Sequence, residues 1–124
     1  MGAGTQTATE RAGEPAGDTT PQGERSPCCA LYHHAVELVG KRWSGAILLV
    51  LFDGPLRFSE IRQLVPDVSD RLLSERLKEL EGEGVVERRV YEESPIRVEY
   101  ELTEKGKALE PALSALKSWS HDHC

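Results

Sequence analysis

The sequence predicts an α+β chain, mainly helical with one small β-hairpin, and three observations carry that prediction. Leu73, Leu77 and Leu80 recur at the three-and-four spacing of a helix buried along one stripe. Residues 85–91 (V-V-E-R-R-V-Y) and 97–102 (R-V-E-Y-E-L) are β-branched, aromatic and alternating, and only a short turn separates them. Apolar residues at helical spacing also occupy both ends of this region, from Leu31 to Val39 and from Leu109 to Trp119.

The chain has 124 residues, enough for one domain and a tail. Residues 1–27 hold no large apolar side chain after Met1, so they cannot bury enough surface to offset ordering entropy and read as a disordered tail. The domain is expected over residues 28–124. The longest apolar run, residues 46–52, is far short of the ~20 needed to cross a bilayer. No basic-then-apolar signal pattern opens the chain. A cytoplasmic protein with no membrane partner is expected, and its three cysteines read as thiols rather than structural disulfides.

The formal net charge of −6 counts against a non-specific coater of nucleic acid, which is basic throughout. It leaves room for a local reader, because charge on the contacting face decides. Arg57, Arg62, Arg71, Arg76, Lys78, Arg88, Arg89 and Arg97 all lie in the middle of the chain. With no phosphate loop, nucleophile elbow or metalloprotease motif, neither an enzyme nor a cofactor is expected.

Taken in order, residues 28–40 form a helix that ends near Gly40. Residues 43–52 are the most apolar and should be a buried helix with Trp43 as a core anchor, stopped by Asp53-Gly54-Pro55. Residues 56–65 are expected as a short helix capped by Ser59, with Ile61, Leu64 and Val65 facing inward. Pro66-Asp67 then turns the chain into residues 68–83. There Ser69 is the natural N-cap, Asp70 suits the helix dipole, and Gly82 and Gly84 mark the stop. At about 100° per residue, Arg71, Ser74, Glu75 and Lys78 fall opposite the leucine stripe.

A short helix, a tight turn and a second helix with an exposed polar face make a helix-turn-helix. A hairpin directly after it is a wing, expected to carry Arg88, Arg89 and Arg97 at its tip near Pro95 for phosphate or minor-groove contact. The competing reading pairs these arginines across the strands with Glu87, Glu99 or Glu101. Thr103 caps the last helix, which Pro111 either kinks or restarts. Its stripe of Leu109, Ala112, Leu113, Leu116 and Trp119 exceeds what so small a domain needs, and a homodimer is the simplest use of the surplus.

These segments together resemble the HxlR-type winged helix-turn-helix regulators. The runs that carry the likeness are L-V-G-K-R-W, A-I-L-L-V-L, D-G-P-L-R-F-S-E-I, V-S-D-R-L-L-S-E-R-L-K-E-L-E, G-V-V-E-R-R-V-Y and P-I-R-V-E-Y-E-L-T-E-K-G, with a late Trp. They cover about residues 28–119 in the same order and almost without gaps. The resemblance implies a bacterial, dimeric transcription regulator with the terminal helices as dimer interface. It also implies a recognition helix over residues 69–83, a wing spanning 88–97, and structural roles for Phe58 and Glu60. One departure stands out. The family often begins its domain with a single Cys followed by Pro, a thiol that some members use to sense oxidants or electrophiles, whereas this chain has Pro27-Cys28-Cys29.

Three readings are open for the cysteines and histidines. Cys29 and His33, four apart, would share a helix face, and the chain ends His121-Asp122-His123-Cys124. The thiols are incidental, or Cys28 and Cys29 form a redox switch beside a helix N-terminus, or a metal is held; no closely spaced pair of Cys pairs supports the metal. The residues expected to meet double-stranded DNA at an inverted-repeat operator are Arg57, Ser69, Arg71, Ser74, Lys78, Arg88, Arg89 and Arg97. A small-molecule effector is left open. The rival is a winged helix that binds only protein, favoured by the acidic charge and by Glu75 and Glu79 on the exposed helix face.

Overall fold

The predicted leucine stripe is the floor of the structure. In the computed structural model, which describes residues 27–124, Leu73, Leu77 and Leu80 have at most 1% of their surface exposed. The expectation of a disordered tail falls, apart from Pro27, outside the described residues. The chain divides after Glu37 into two units, each taken by itself.

In the first unit, helix α1 (Ala30–Gly40) begins directly after the paired cysteines. The Cys29 carbonyl accepts the His33 N–H at 3.1 Å and its Sγ accepts the Tyr32 N–H at 3.3 Å, so Cys29 caps the first turn. Leu31, Tyr32 and Val36 are exposed.

The second unit begins at Leu38, in the last turn of α1. There α2 (Ser44–Leu51), α3 (Phe58–Leu64), α4 (Asp70–Gly82), β1 (Val86–Tyr91), β2 (Arg97–Leu102), α5 (Glu104–Lys107) and α6 (Glu110–His123) follow in order. Ile47, Leu48 and Leu51 of α2, Ile61 of α3, the α4 leucines, Val86 of β1, Leu102 of β2 and Leu113 of α6 make one core, joined by Val65, Val68 and Val85 from the connections. The strands pair antiparallel from Val86↔Leu102 to Tyr91↔Arg97. Leu56 adds a bridge to Tyr100 through bonds of 3.0 and 2.8 Å, fixing the segment before α3 to the hairpin.

Three expectations need correction. Ser59 does not cap α3: the helix starts one residue earlier, at Phe58, with Arg57 as N-cap and the Glu60 carboxylate accepting the Arg57 N–H at 2.7 Å. The Glu60 carboxylate also suits the partial positive charge of the helix start. Leu64 is 56% exposed, because Ile61 and Val65 already take the inward positions of this short helix. Trp43 is half-buried at the core edge and has φ 77°, a left-handed conformation unusual for a bulky residue. The Arg42 guanidinium lies 4.9 Å from its ring centroid.

The joint between α4, the hairpin and α5 is tight. The Thr103 Oγ1 donates to the Gly84 carbonyl at 2.6 Å and accepts the Gly106 N–H at 3.1 Å, while Lys105 Nζ donates to the Glu83 carbonyl at 2.8 Å. The Thr103 N–H bonds to the Val85 carbonyl at 3.1 Å. A Cβ at Gly106 would sit 2.1 Å from that same carbonyl oxygen, so only glycine fits. Pro111 restarts the chain as α6, in a first turn where its missing N–H is not needed.

Candidate nucleic-acid interface

Helix α4 is built to present one face. The Ser69 Oγ accepts the Leu72 N–H at 3.1 Å and starts the helix, leaving that side chain exposed at the cap. Arg62 of α3 reaches Asp70 at 2.6 Å and ties the two helices at the first turn. The leucines face the core, and Arg71 projects outward with 90% of its side chain exposed. Ser74 is half-buried beside it, and Lys78 is exposed and pairs with no carboxylate among the described residues.

Two of the acids on the exposed side of α4, Glu75 and Glu79, are neutralised within the fold. Arg71 Nε lies 3.3 Å from Glu75 Oε2, the spacing of a one-turn pair. Glu79 takes Lys41 at 3.0 Å and Arg76 at 3.4 Å. Arg76 serves packing: its side chain is only 13% exposed and its Nε donates to the Arg42 carbonyl at 3.0 Å. Lys41 and Arg62 are the contributors that sequence reasoning missed. The separation of 38 in sequence between Lys41 and Glu79 leaves no periodic trace.

The wing arginines separate into two kinds. Arg88 is exposed, opposite Tyr100, and meets no carboxylate among the described residues. Arg89 sits 2.9 Å from Glu101 and 3.4 Å from Glu87, and Glu101 first, then Glu87, raise its pKa above the ordinary arginine value. Arg97 reaches Glu93 at 3.2 Å, and its guanidinium carbon lies 4.4 Å from the Tyr91 ring centroid. Its Nε is 3.3 Å from Glu99 but buried without a well-aligned hydrogen bond, so that contact is charge attraction alone.

Of the three arginines placed at the tip, only Arg97 adjoins the turn; Arg88 and Arg89 stand mid-strand. The register is the reason. It puts Glu87, Arg89, Tyr91, Arg97, Glu99 and Glu101 on one face, where Arg89 pairs diagonally with Glu101 and along its own strand with Glu87, and Arg97 pairs along its strand with Glu99. Arg57 occupies the cap of α3, exposed and without an ion pair among the described residues.

Cys28, Cys29 and Cys124 are exposed free thiols, and Cys28 Sγ lies 3.7 Å from the Cys29 carbonyl. Among the described residues no group of three His, Cys, Asp or Glu side chains converges to hold a metal, and no helix is long and apolar enough to cross a membrane.

Comparison with known proteins places this geometry. The HxlR-like helix-turn-helix family matches residues 38–124. The HTH-type transcriptional regulator YvaP of Bacillus subtilis (strain 168) is 50% identical over 77% of this chain and 89% of its own length. The reduced form of the transcriptional regulator YodB from B. subtilis superposes with a TM-score of 0.71 at 46% identity, over 79% of this chain and 96% of that one. YodB has also been solved diamide-treated and quinone-bound. The oxidized form of the redox regulator HypR superposes with a TM-score of 0.73 at 36% identity, over 77% of this chain and 98% of that one. These relatives support a regulator that reads DNA over a winged helix that binds only protein.

Proposed function

Because the chain belongs to the HxlR-like helix-turn-helix family of transcription regulators, we propose that residues 28–124 bind double-stranded DNA as a cytoplasmic homodimer at an inverted-repeat operator. Each α4 enters a major groove, about 34 Å from its partner along the duplex. Arg71, Ser74 and Lys78 face base edges or flanking phosphates, Ser69 approaches the backbone at the helix start, and Arg57 and Arg88 hold phosphates. Arg89 and Arg97 reach phosphate only by exchanging their carboxylate partners. Leu116 and Trp119 of α6, 58% and 54% exposed, supply apolar surface for the second copy.

The observation that carries this reading is a helix with three leucines fixed in the core, Arg71 exposed and held only by Glu75, and Lys78 exposed on the same opposite side, followed at once by the hairpin. Oxidation of Cys28 or Cys29, at the capped start of α1, shifts the affinity for DNA. Selection from a random duplex pool, with and without peroxide, tests both parts. An enriched inverted repeat, bound with an affinity that falls steeply with salt, is the expected result. No enrichment overturns the DNA reading, and an equal peroxide response in the Cys28→Ser/Cys29→Ser variant overturns the thiol switch.

A further inference from the structure

Glu75 lies in the middle of the face that α4 turns toward DNA, where a carboxylate beside phosphate is unfavourable unless it has a task. Its geometry supplies one. The carboxylate takes Arg71 through Nε alone, at 3.3 Å, and the two form the one ion pair among the described residues that lies wholly on the outward side of α4. Glu79 is bound by Lys41 and Arg76 and does not compete for Arg71. Arg71 is otherwise unrestrained, with 90% of its side chain exposed. A long arginine that free is drawn to the nearest phosphate, the strongest negative charge in reach. With Nε occupied, the terminal N–H groups remain as a fixed fork, the arrangement that matches O6 and N7 of guanine.

We infer that Glu75 is a positioning residue for base recognition: it holds Arg71 by Nε so that the terminal guanidinium edge meets a guanine instead of the phosphate backbone. This rests on the DNA-reading role of α4 proposed above. Glu75 touches no base in this account. It acts through Arg71, and its own charge keeps the middle of the helix from settling on phosphate at unrelated sequences.

The test compares full-length wild type with Glu75→Gln, Glu75→Asp and Arg71→Ala. Binding is measured by fluorescence anisotropy over a salt series, on the selected operator and on a scrambled duplex. Glu75→Gln is expected to bind scrambled DNA more tightly and to lose about tenfold in operator preference. The slope of log affinity against log salt should steepen by about one, as Arg71 moves to a phosphate. Glu75→Asp, too short to hold Nε, is expected to lose the same preference. A wild-type preference and slope in Glu75→Gln overturn the inference, as does equal weakening on both duplexes with an unchanged slope, the mark of a helix merely destabilised. Wild-type behaviour of Glu75→Asp beside an altered Glu75→Gln assigns the effect to bare charge and also overturns positioning. If Arg71→Ala relaxes sequence preference while Glu75→Gln does not, the inference alone falls. If Arg71→Ala keeps full preference, the reading of α4 falls with it.

Discussion

Helix α4 and the hairpin carry the same residue types, and they use them differently. On α4 two acids are drawn aside, Glu79 by Lys41 and Arg76 and Glu75 by the Nε of Arg71, so Lys78 and the terminal edge of Arg71 remain facing outward. On the hairpin Arg89 meets Glu101 across the strands and Glu87 on its own strand, and Arg97 meets Glu93 in the turn and Glu99 on its own strand, leaving Arg88 as the arginine without a carboxylate among the described residues. An arginine's availability to DNA is therefore set by which acid lies within about 4 Å, rather than by its place near a loop. In high dielectric such surface pairs contribute little to folding. They still determine which cations must give up a partner before they can bind phosphate.

Four substitutions break or sharpen this contrast, in descending size of effect. Leu77→Ala removes a side chain 1% exposed beneath the reading face and should cost about 2–5 kcal/mol in urea unfolding, with DNA binding lost alongside. Arg71→Ala should cost about 1–3 kcal/mol of operator binding and relax preference at one base pair. Arg88→Ala should weaken operator and scrambled DNA alike and lower the salt slope by about one, the signature of a phosphate contact. Arg89→Ala should leave affinity and slope unchanged, since its charge is committed to Glu101 and Glu87. Equal changes in slope for Arg88→Ala and Arg89→Ala would erase the distinction between paired and unpaired arginines.

The sequence made α4 legible almost to the residue. Its signals are local: a serine three positions before an N–H that its hydroxyl caps, leucines at helical spacing and glycines at the end. The hairpin's existence and its apolar alternation were equally legible. Less could be read wherever two segments meet. Ser59 and Arg57 are both near the start of α3, and what decides the cap is a Glu60 side chain folding back on the Arg57 N–H. Leu64 fits the helical period, yet the short helix leaves it no core to face. Arg89 and Arg97 could each have met DNA or acid on spacing alone; the strand register brings Glu101 to Arg89, and the turn brings Glu93 to Arg97. The cysteines sit where expected at a helix start, but nothing linear in the chain says that Cys29 caps α1 with its sulfur.

Thr103 and Gly106 have a consequence for how the protein opens. The Thr103 side chain joins the Gly84 carbonyl to the Gly106 N–H, its own N–H takes the Val85 carbonyl, and that oxygen abuts Gly106 with no room between. Backbone amides of the last turn of α4, the root of the hairpin and α5 should therefore exchange with deuterium with a common opening free energy, as one cooperative unit. The hairpin should then not fray from α4 on its own, and the two elements proposed to meet DNA should be retained or lost together.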